Sequence, residues 1–204
     1  MELYENIIKN IPPSASDEFL EKLGYDLRRE YYDMINAADF DKKEKIFDFA
    51  TGSGRMVSVL TRMGFNIITA DITDEQRHEA ITRITDEYLD RVKFTLLNLE
   101  SVPYKDNTLL SIETVNTVHH LENPLDCIEE LIRINKPGGK ILIADFNNEG
   151  FDLMDEVHLK KYGELHTRGK SVWPEIIELL KSSYKSVREA DTALNNVLVG
   201  ENKV

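Results

Sequence analysis

The stretch Ile46-Phe47-Asp48-Phe49-Ala50-Thr51-Gly52-Ser53-Gly54-Arg55-Met56 decides the reading of this chain. A short apolar, β-prone run ends in a tight glycine turn, and helical periodicity starts at once over Met56–Met63. The same alternation repeats outward from it. β-prone runs recur at Asn66–Ala70, Val92–Leu97, Leu109–Val115 and Lys140–Ala144, with helix-like stretches at Asp74–Tyr88 and Pro124–Ile134. Strands alternating with helices indicate βαβ units and a parallel sheet, with ligands at the carboxyl ends of its strands. A tail helix near Pro174–Ser183 precedes two strands, Ser186–Asp191 and Asn195–Gly200. Their link is too short for a helix, so the last strand is expected to be antiparallel.

Upstream, Pro12-Pro13-Ser14-Ala15-Ser16-Asp17 reads as a loop, with a short amphipathic piece (Leu3, Tyr4, Ile7, Ile8) before it. Ser16 or Asp17 is expected to cap one helix running to about Asn36, and Thr73 with Gln76 to form a capping box for the second crossover helix. The fold class expected is therefore α/β. It is a Rossmann-like, doubly wound, mostly parallel seven-stranded sheet with an antiparallel last strand. Residues 1–40 form an N-terminal helical lid on a main domain of residues 41–204. Gly138-Gly139 is expected as a turn that shapes the sheet and binds nothing.

The 204 residues suit one domain of ordinary size. Hydrophobic residues at 41 % and charged residues at 30 % exclude collagen-like and disordered classes. A net charge of −12 argues against a nucleic-acid or membrane-surface partner. The opening MELYENIIKN lacks the pattern of a signal peptide, and no apolar run approaches the roughly 20 residues of a membrane span. A cytoplasmic protein is expected. Cys127 is the sole cysteine, which leaves no internal disulfide and no thiolate metal site; it reads as a small buried residue.

Gly52 and Gly54 let a ligand approach the backbone near a helix N-terminus, which alone is weak evidence. Asp71 strengthens it, because a carboxylate at the end of the second strand can accept both hydroxyls of a ribose. Val57 stands where a dinucleotide fingerprint needs a third small residue, and Asp48 lies within the first strand. An acid there suits a ligand with an ammonium and a sulfonium better than one with a pyrophosphate, which disfavours a nicotinamide-dependent reductase. Glu113, in a strand expected to be buried, either faces the ligand's amino group or sits in an internal ion pair.

Among the histidines, His78 reads as solvated and His120 as a structural fastener. His119 reads equally as pocket lining or as surface. His158, Tyr162 and His166 share a face if their stretch is helical, and with Asp145 they would line a polar substrate pocket. Metal ligation is the weaker alternative, and no metal is expected.

These segments resemble the class I S-adenosylmethionine-dependent methyltransferases, especially the ubiquinone/menaquinone C-methyltransferase-like branch. The likeness covers about residues 45–145. Asp48–Gly54 resembles the family's first motif, with Ala50 where most members have glycine; alanine suits that place if its φ is negative. Ala70-Asp71-Ile72-Thr73 resembles the second motif. Leu97–Tyr104 resembles the adenine-contacting segment, with Asn98 in place of the usual aspartate and Leu99 stacking on the adenine. Val118–Pro124 and Leu131–Lys140 match the segments around the fourth and fifth strands. The resemblance implies S-adenosylmethionine as cofactor, with S-adenosylhomocysteine as product. It assigns cofactor contacts to Asp48, Ala50, Gly52, Gly54, Asp71, Ile72, Asn98, Leu99, Thr114 and Asn116.

The reaction it implies is in-line displacement onto a small-molecule acceptor, since the Asp/Asn-Pro-Pro-aromatic string of amino-methylating nucleic-acid enzymes is absent at Asn116-Thr117-Val118-His119. His119 is the catalytic candidate, with His158 and His166 as further bases if the acceptor is protic. Tyr25, His119, Asp145, His158 and His166 are the substrate candidates, and Tyr4, Tyr25, Tyr31 and Tyr32 are candidates to close the lid. A non-catalytic module of the same fold is the rival reading. The oligomeric state stays open, a homodimer included.

Overall fold

Lys45–Phe49 (β1) is central because both of its faces are covered: Ile46 enters one buried cluster and Phe49 the other. It runs parallel to β2 (Asn66–Asp71) and β4 (Leu109–Val115), which in turn pair with β3 (Val92–Leu96) and β5 (Asn135–Phe146). β7 (Asn195–Lys203) inserts antiparallel between β5 and β6 (Tyr184–Glu189). This computed structural model describes residues 2–204 and gives a seven-stranded sheet ordered β3-β2-β1-β4-β5-β7-β6, the architecture expected.

Strand alternation divides the core. Leu142, Ala144, Val197 and Val199 point to the face covered by α2 (Ala15–Lys22), α3 (Leu27–Ala38) and α4 (Arg55–Arg62). Ile141, Ile143 and Leu198 point to the face covered by α6 (Pro124–Ile134) and α8 (Trp173–Ser183). Cys127 is fully buried on α6, and the apolar surroundings push its thiol up to about 11. The short α1 (Glu2–Asn6) joins the first face through Tyr4. Among the described residues no helix is long and apolar enough to cross a membrane.

Several local expectations are corrected. The N-terminal helix is two helices: Gly24 takes φ +93 after α2, and Asp26 caps α3 by accepting from the amides of Arg28 and Arg29. The cap of α2 is Ser14, not Ser16 or Asp17, and Asp17 closes a capping box with it. No capping box forms between Thr73 and Gln76, because α5 (Arg77–Ile84) starts later, with Gln76 itself in the cap position. Gly138-Gly139 lies within β5, in an irregular segment where Asn135–Lys140 advances against only Leu109–Ser111 of β4. That segment is held by the Asn135 amide, which donates to the carbonyl of Leu109 at 2.9 Å.

Candidate active site

Strand order reverses between β1 and β4, which opens a crevice at their carboxyl ends. A cavity of about 810 Å³ occupies it, lined on one side by the loop after β1, the end of β2 and residues 97–100. The other side is built from residues 115–122, α7 (Asn148–Tyr162) and His166.

The glycine loop is held from below. The amides of Ala50 and Thr51 both donate to the carbonyl of Ala70, at 2.8 and 3.0 Å. Asp71 accepts from the amide of Gly52 through one oxygen and from that of Ile72 through the other, each at 2.8 Å. One lone pair per oxygen is thus used in fixing the carboxylate, and the others remain for a ligand. The amide of Gly54 donates to Thr51 at 2.8 Å, so neither glycine amide is free for a ligand as the sequence reading implied. Gly54 is required for packing instead: at φ +75, a Cβ would lie 2.8 Å from Ala80. Ala50 has φ +89, not the negative value its alanine calls for, so the turn is strained where glycine would fit.

Below this loop, Asp48 and Glu113 are register partners on β1 and β4, 3 % and 0 % exposed. Thr69 donates to Asp48, and Thr51 meets Thr69 at 2.5 Å. Burial raises both acids, and the neighbouring Asp48 pushes Glu113 further. Both effects favour the protonated form of Glu113. No cation pairs with it among the described residues, which removes the ion-pair alternative.

Eight of the assigned cofactor positions line the cavity: Asp48, Ala50, Gly52, Asp71, Ile72, Asn98, Leu99 and Asn116. Gly54 does not, nor does Thr114, which is buried and donates to the Phe49 carbonyl at 2.8 Å to tie β4 to β1. The Asn98 carbonyl already accepts from the amide of Glu100 at 2.9 Å. The Asn116 side-chain oxygen is buried with no hydrogen-bond partner among the described residues, while its nitrogen donates to Tyr31 at 3.3 Å.

Of Tyr4, Tyr25, Tyr31 and Tyr32, the tyrosines expected to close over the site, only Tyr31 faces the cavity. Tyr4 bonds to Asp26 and packs on Tyr32, and Tyr25 donates to Glu149 outside the cavity, so Tyr25 is not placed to touch a substrate. The helical segment is fastened by residues the sequence reading missed. Asp17 accepts from Arg55 at 2.9 Å and from Arg83 at 2.6 Å, and Arg83 also donates to the Ser53 carbonyl at 3.0 Å. The two guanidiniums hold the Asp17 carboxyl well below the usual carboxylate range despite its burial. Nothing local marks this knot, because its members lie 38 and 66 residues apart.

At the far side His119 is 3 % exposed, so the surface reading fails. Asp145 holds its ring through Nδ1 at 2.5 Å and its backbone amide at 2.8 Å. Asp145 itself stands behind His119 and does not line the cavity. His158 and His166 do line it, though not from one helix face: α7 stops at Gly163, φ +80, and the chain turns back until the amide of His166 donates to Asp155 at 2.9 Å. His120 presents its ring to the cavity with no hydrogen bond among the described residues, so it fastens nothing. Burial and neighbouring imidazoles pull both His120 and His166 down to about 4. His78 is exposed, as expected.

Residues 47–143 match the profile of a methyltransferase domain family. The chain is 25 % identical over 140 residues to a demethylmenaquinone methyltransferase of Clavibacter sepedonicus, covering 69 % of this chain and 54 % of that one. It is 24 % identical over 148 residues to the ubiquinone/menaquinone biosynthesis C-methyltransferase UbiE of Shewanella sp. (strain W3-18-1), covering 67 % and 59 %. It thus spans little more than half the length of these relatives. A crystal structure of a SAM-dependent methyltransferase from Aquifex aeolicus superposes with TM-score 0.63 at 21 % identity, covering 91 % of this chain and 98 % of that one. The strand order and the Asp48–Gly54 and Asp71 loops thus coincide with the segment that matches a methyltransferase domain, on the α/β fold that this chain shares with solved SAM-dependent methyltransferases.

Proposed function

We propose that the chain transfers a methyl group from S-adenosylmethionine to a small molecule, with residues 1–40 serving as the lid over the site. One observation carries this reading: a single cavity joins a ribose-type carboxylate, Asp71, to a buried, oriented imidazole, His119. The lining fits a cationic nucleoside. Asp48 and the unpartnered Asn116 oxygen accept but do not donate toward it, which suits an ammonium group. Asp71 takes the ribose hydroxyls, and Leu99 and Ile72 border the adenine with Asn98 at its edge. When bound, S-adenosylmethionine supplies an electrophilic methyl on a sulfonium whose charge vanishes on transfer.

The chain's own contribution is alignment. The Asp17 knot holds Ser14–Ser16 and Arg55 at the rim, and Tyr31 closes from the lid. Asp145 fixes the His119 tautomer so that Nε2 faces the acceptor side, with His158 and His166 beside it. The net charge of −12 supports a small acceptor over a nucleic acid.

The test is calorimetric titration with S-adenosylhomocysteine, NADH serving as control. Micromolar binding that Asp71→Ala weakens at least tenfold is the expected result. Silence toward S-adenosylhomocysteine would instead favour the non-catalytic module. With an acceptor in hand, Asp145→Asn is expected to lower kcat by about 10²–10⁴ with little change in S-adenosylhomocysteine affinity, since it disturbs only the orientation of His119.

A further inference from the structure

Four of the chain's five histidines gather at the acceptor side of the cavity, more than positioning a single imidazole requires. Their contacts have a direction. Nδ1 of His119 donates to Asp145 at 2.5 Å, and Nδ1 of His166 meets Nε2 of His158 at 3.0 Å. With each Nδ1 engaged, the Nε2 atoms of His119 and His166 face each other at 3.0 Å. At that spacing the two nitrogens can share one proton as a hydrogen bond or hold one cation between them. A ring atom of His120 completes a group of three whose ligand atoms lie within 4.8 Å of one another.

The backbone enforces the convergence. Gly169 takes φ +62, and a Cβ there would lie 2.2 Å from the His119 carbonyl oxygen, so the loop carrying His166 presses onto the segment carrying His119. Nitrogen ligands of a tetrahedral ion with metal–nitrogen distances of about 2.0–2.1 Å stand about 3.3 Å apart, close to the His119–His166 spacing. Metal-binding histidines are also held through their other ring nitrogen by a carboxylate or similar acceptor, as Asp145 and His158 do here.

We propose that His119, His120 and His166 bind one divalent transition-metal ion, of the zinc, nickel or cobalt type, with an open coordination position toward the cavity. Three imidazoles without a carboxylate select such ions over magnesium or calcium. The assignment departs from the expectation of no metal and deepens the methyl-transfer reading, on which its catalytic part rests. The acceptor class becomes a hydroxyl or thiol compound. Its O–H or S–H proton leaves to solvent as the heteroatom binds the ion. The lone pair of that atom then forms the new bond to the methyl carbon. The S–CH₃ bonding pair returns to sulfur, and neutral S-adenosylhomocysteine departs. In this scheme His119 is a ligand, and no side-chain base is needed.

The experiment is titration of the chelator-treated full chain with cobalt(II), read by its visible d–d absorption, with zinc competition by calorimetry. Saturable one-to-one binding is expected. His166→Ala and His120→Ala should weaken it at least tenfold with unchanged circular dichroism, and Asp145→Asn by about 10–100-fold. His78→Ala should leave it untouched. Absence of saturable binding, or binding that His166→Ala and His120→Ala leave intact, overturns the metal site. S-adenosylhomocysteine titration of the same preparation separates the two readings. If the nucleoside binds and cobalt does not, the metal site alone falls; if cobalt binds and the nucleoside does not, the methyl-transfer reading alone falls.

Discussion

Asp17 and Glu113 are both buried carboxylic acids, 5 % and 0 % exposed, and their surroundings drive them in opposite directions. Burial disfavours the charge of each. At Asp17 two guanidiniums reverse that effect, and the acid stays ionised as the pin between the helical segment and the glycine loop. At Glu113 the neighbour is another acid, Asp48, and both burial and that neighbour favour the protonated carboxyl. The rim anchor is electrostatically balanced, while the floor beneath the cavity is frustrated twice, by its paired acids and by the positive φ of Ala50. Unfavourable contacts concentrated where a ligand is to bind are what a preorganised site looks like.

The largest effect should come from breaking the balanced side. Asp17→Ala leaves Arg83, with a side chain 5 % exposed, only the longer contact to the exposed Glu79 at 3.4 Å as a carboxylate partner, and should cost about 3–5 kcal/mol in urea denaturation. The folded pKa of Asp17 lies below its ordinary 3.8, so its contribution is present above that value and lost as pH falls further. The gap between wild type and variant should therefore narrow below about pH 4. A gap that is small at pH 7 would mean that Glu79 and the backbone carbonyls suffice to hold Arg83.

Relieving the frustrated side should act in the other direction. The folded pKa of Glu113 is raised above its ordinary 4.5, so folding retains a proton that the unfolded chain releases, and stability declines as pH rises past 4.5. Glu113→Gln removes that linkage while keeping the shape of the side chain. It should gain about 1–3 kcal/mol at pH 8 and little at pH 4, measured as the slope of Tm against pH. Equal slopes in both proteins would show that Glu113 is ionised after all. The smallest effect is expected at Ala50, where Ala50→Gly should stabilise by about 0.5–1 kcal/mol, the left-handed strain less the added backbone entropy of glycine.

Legibility in the sequence followed the range of the interactions. β4 and α6 have the ends that periodicity places, β2 and β3 shift by a single residue at one end and β1 by one residue at both, because each pattern is written within a few consecutive residues. Asp71 was placed by its position at the end of the second strand and Leu99 by the family resemblance, and both line the cavity. The Asp17–Arg55–Arg83 knot was not legible, since no local rule pairs charges separated by dozens of residues. Nor was the placement of His166, which depends on the reversal at Gly163 and the close approach at Gly169.

The sequence by itself thus determined the alternating strands and helices, the glycine loop and the acids at the strand ends, because hydrophobic periodicity and turn chemistry act over one or two turns of chain. Only the tertiary structure decided which charges are paired and which are left facing each other. It also decided that His119, His120 and His166 converge while Tyr25 turns away. Those outcomes depend on burial and on distances between segments, and both exist only once the sheet has brought the segments together.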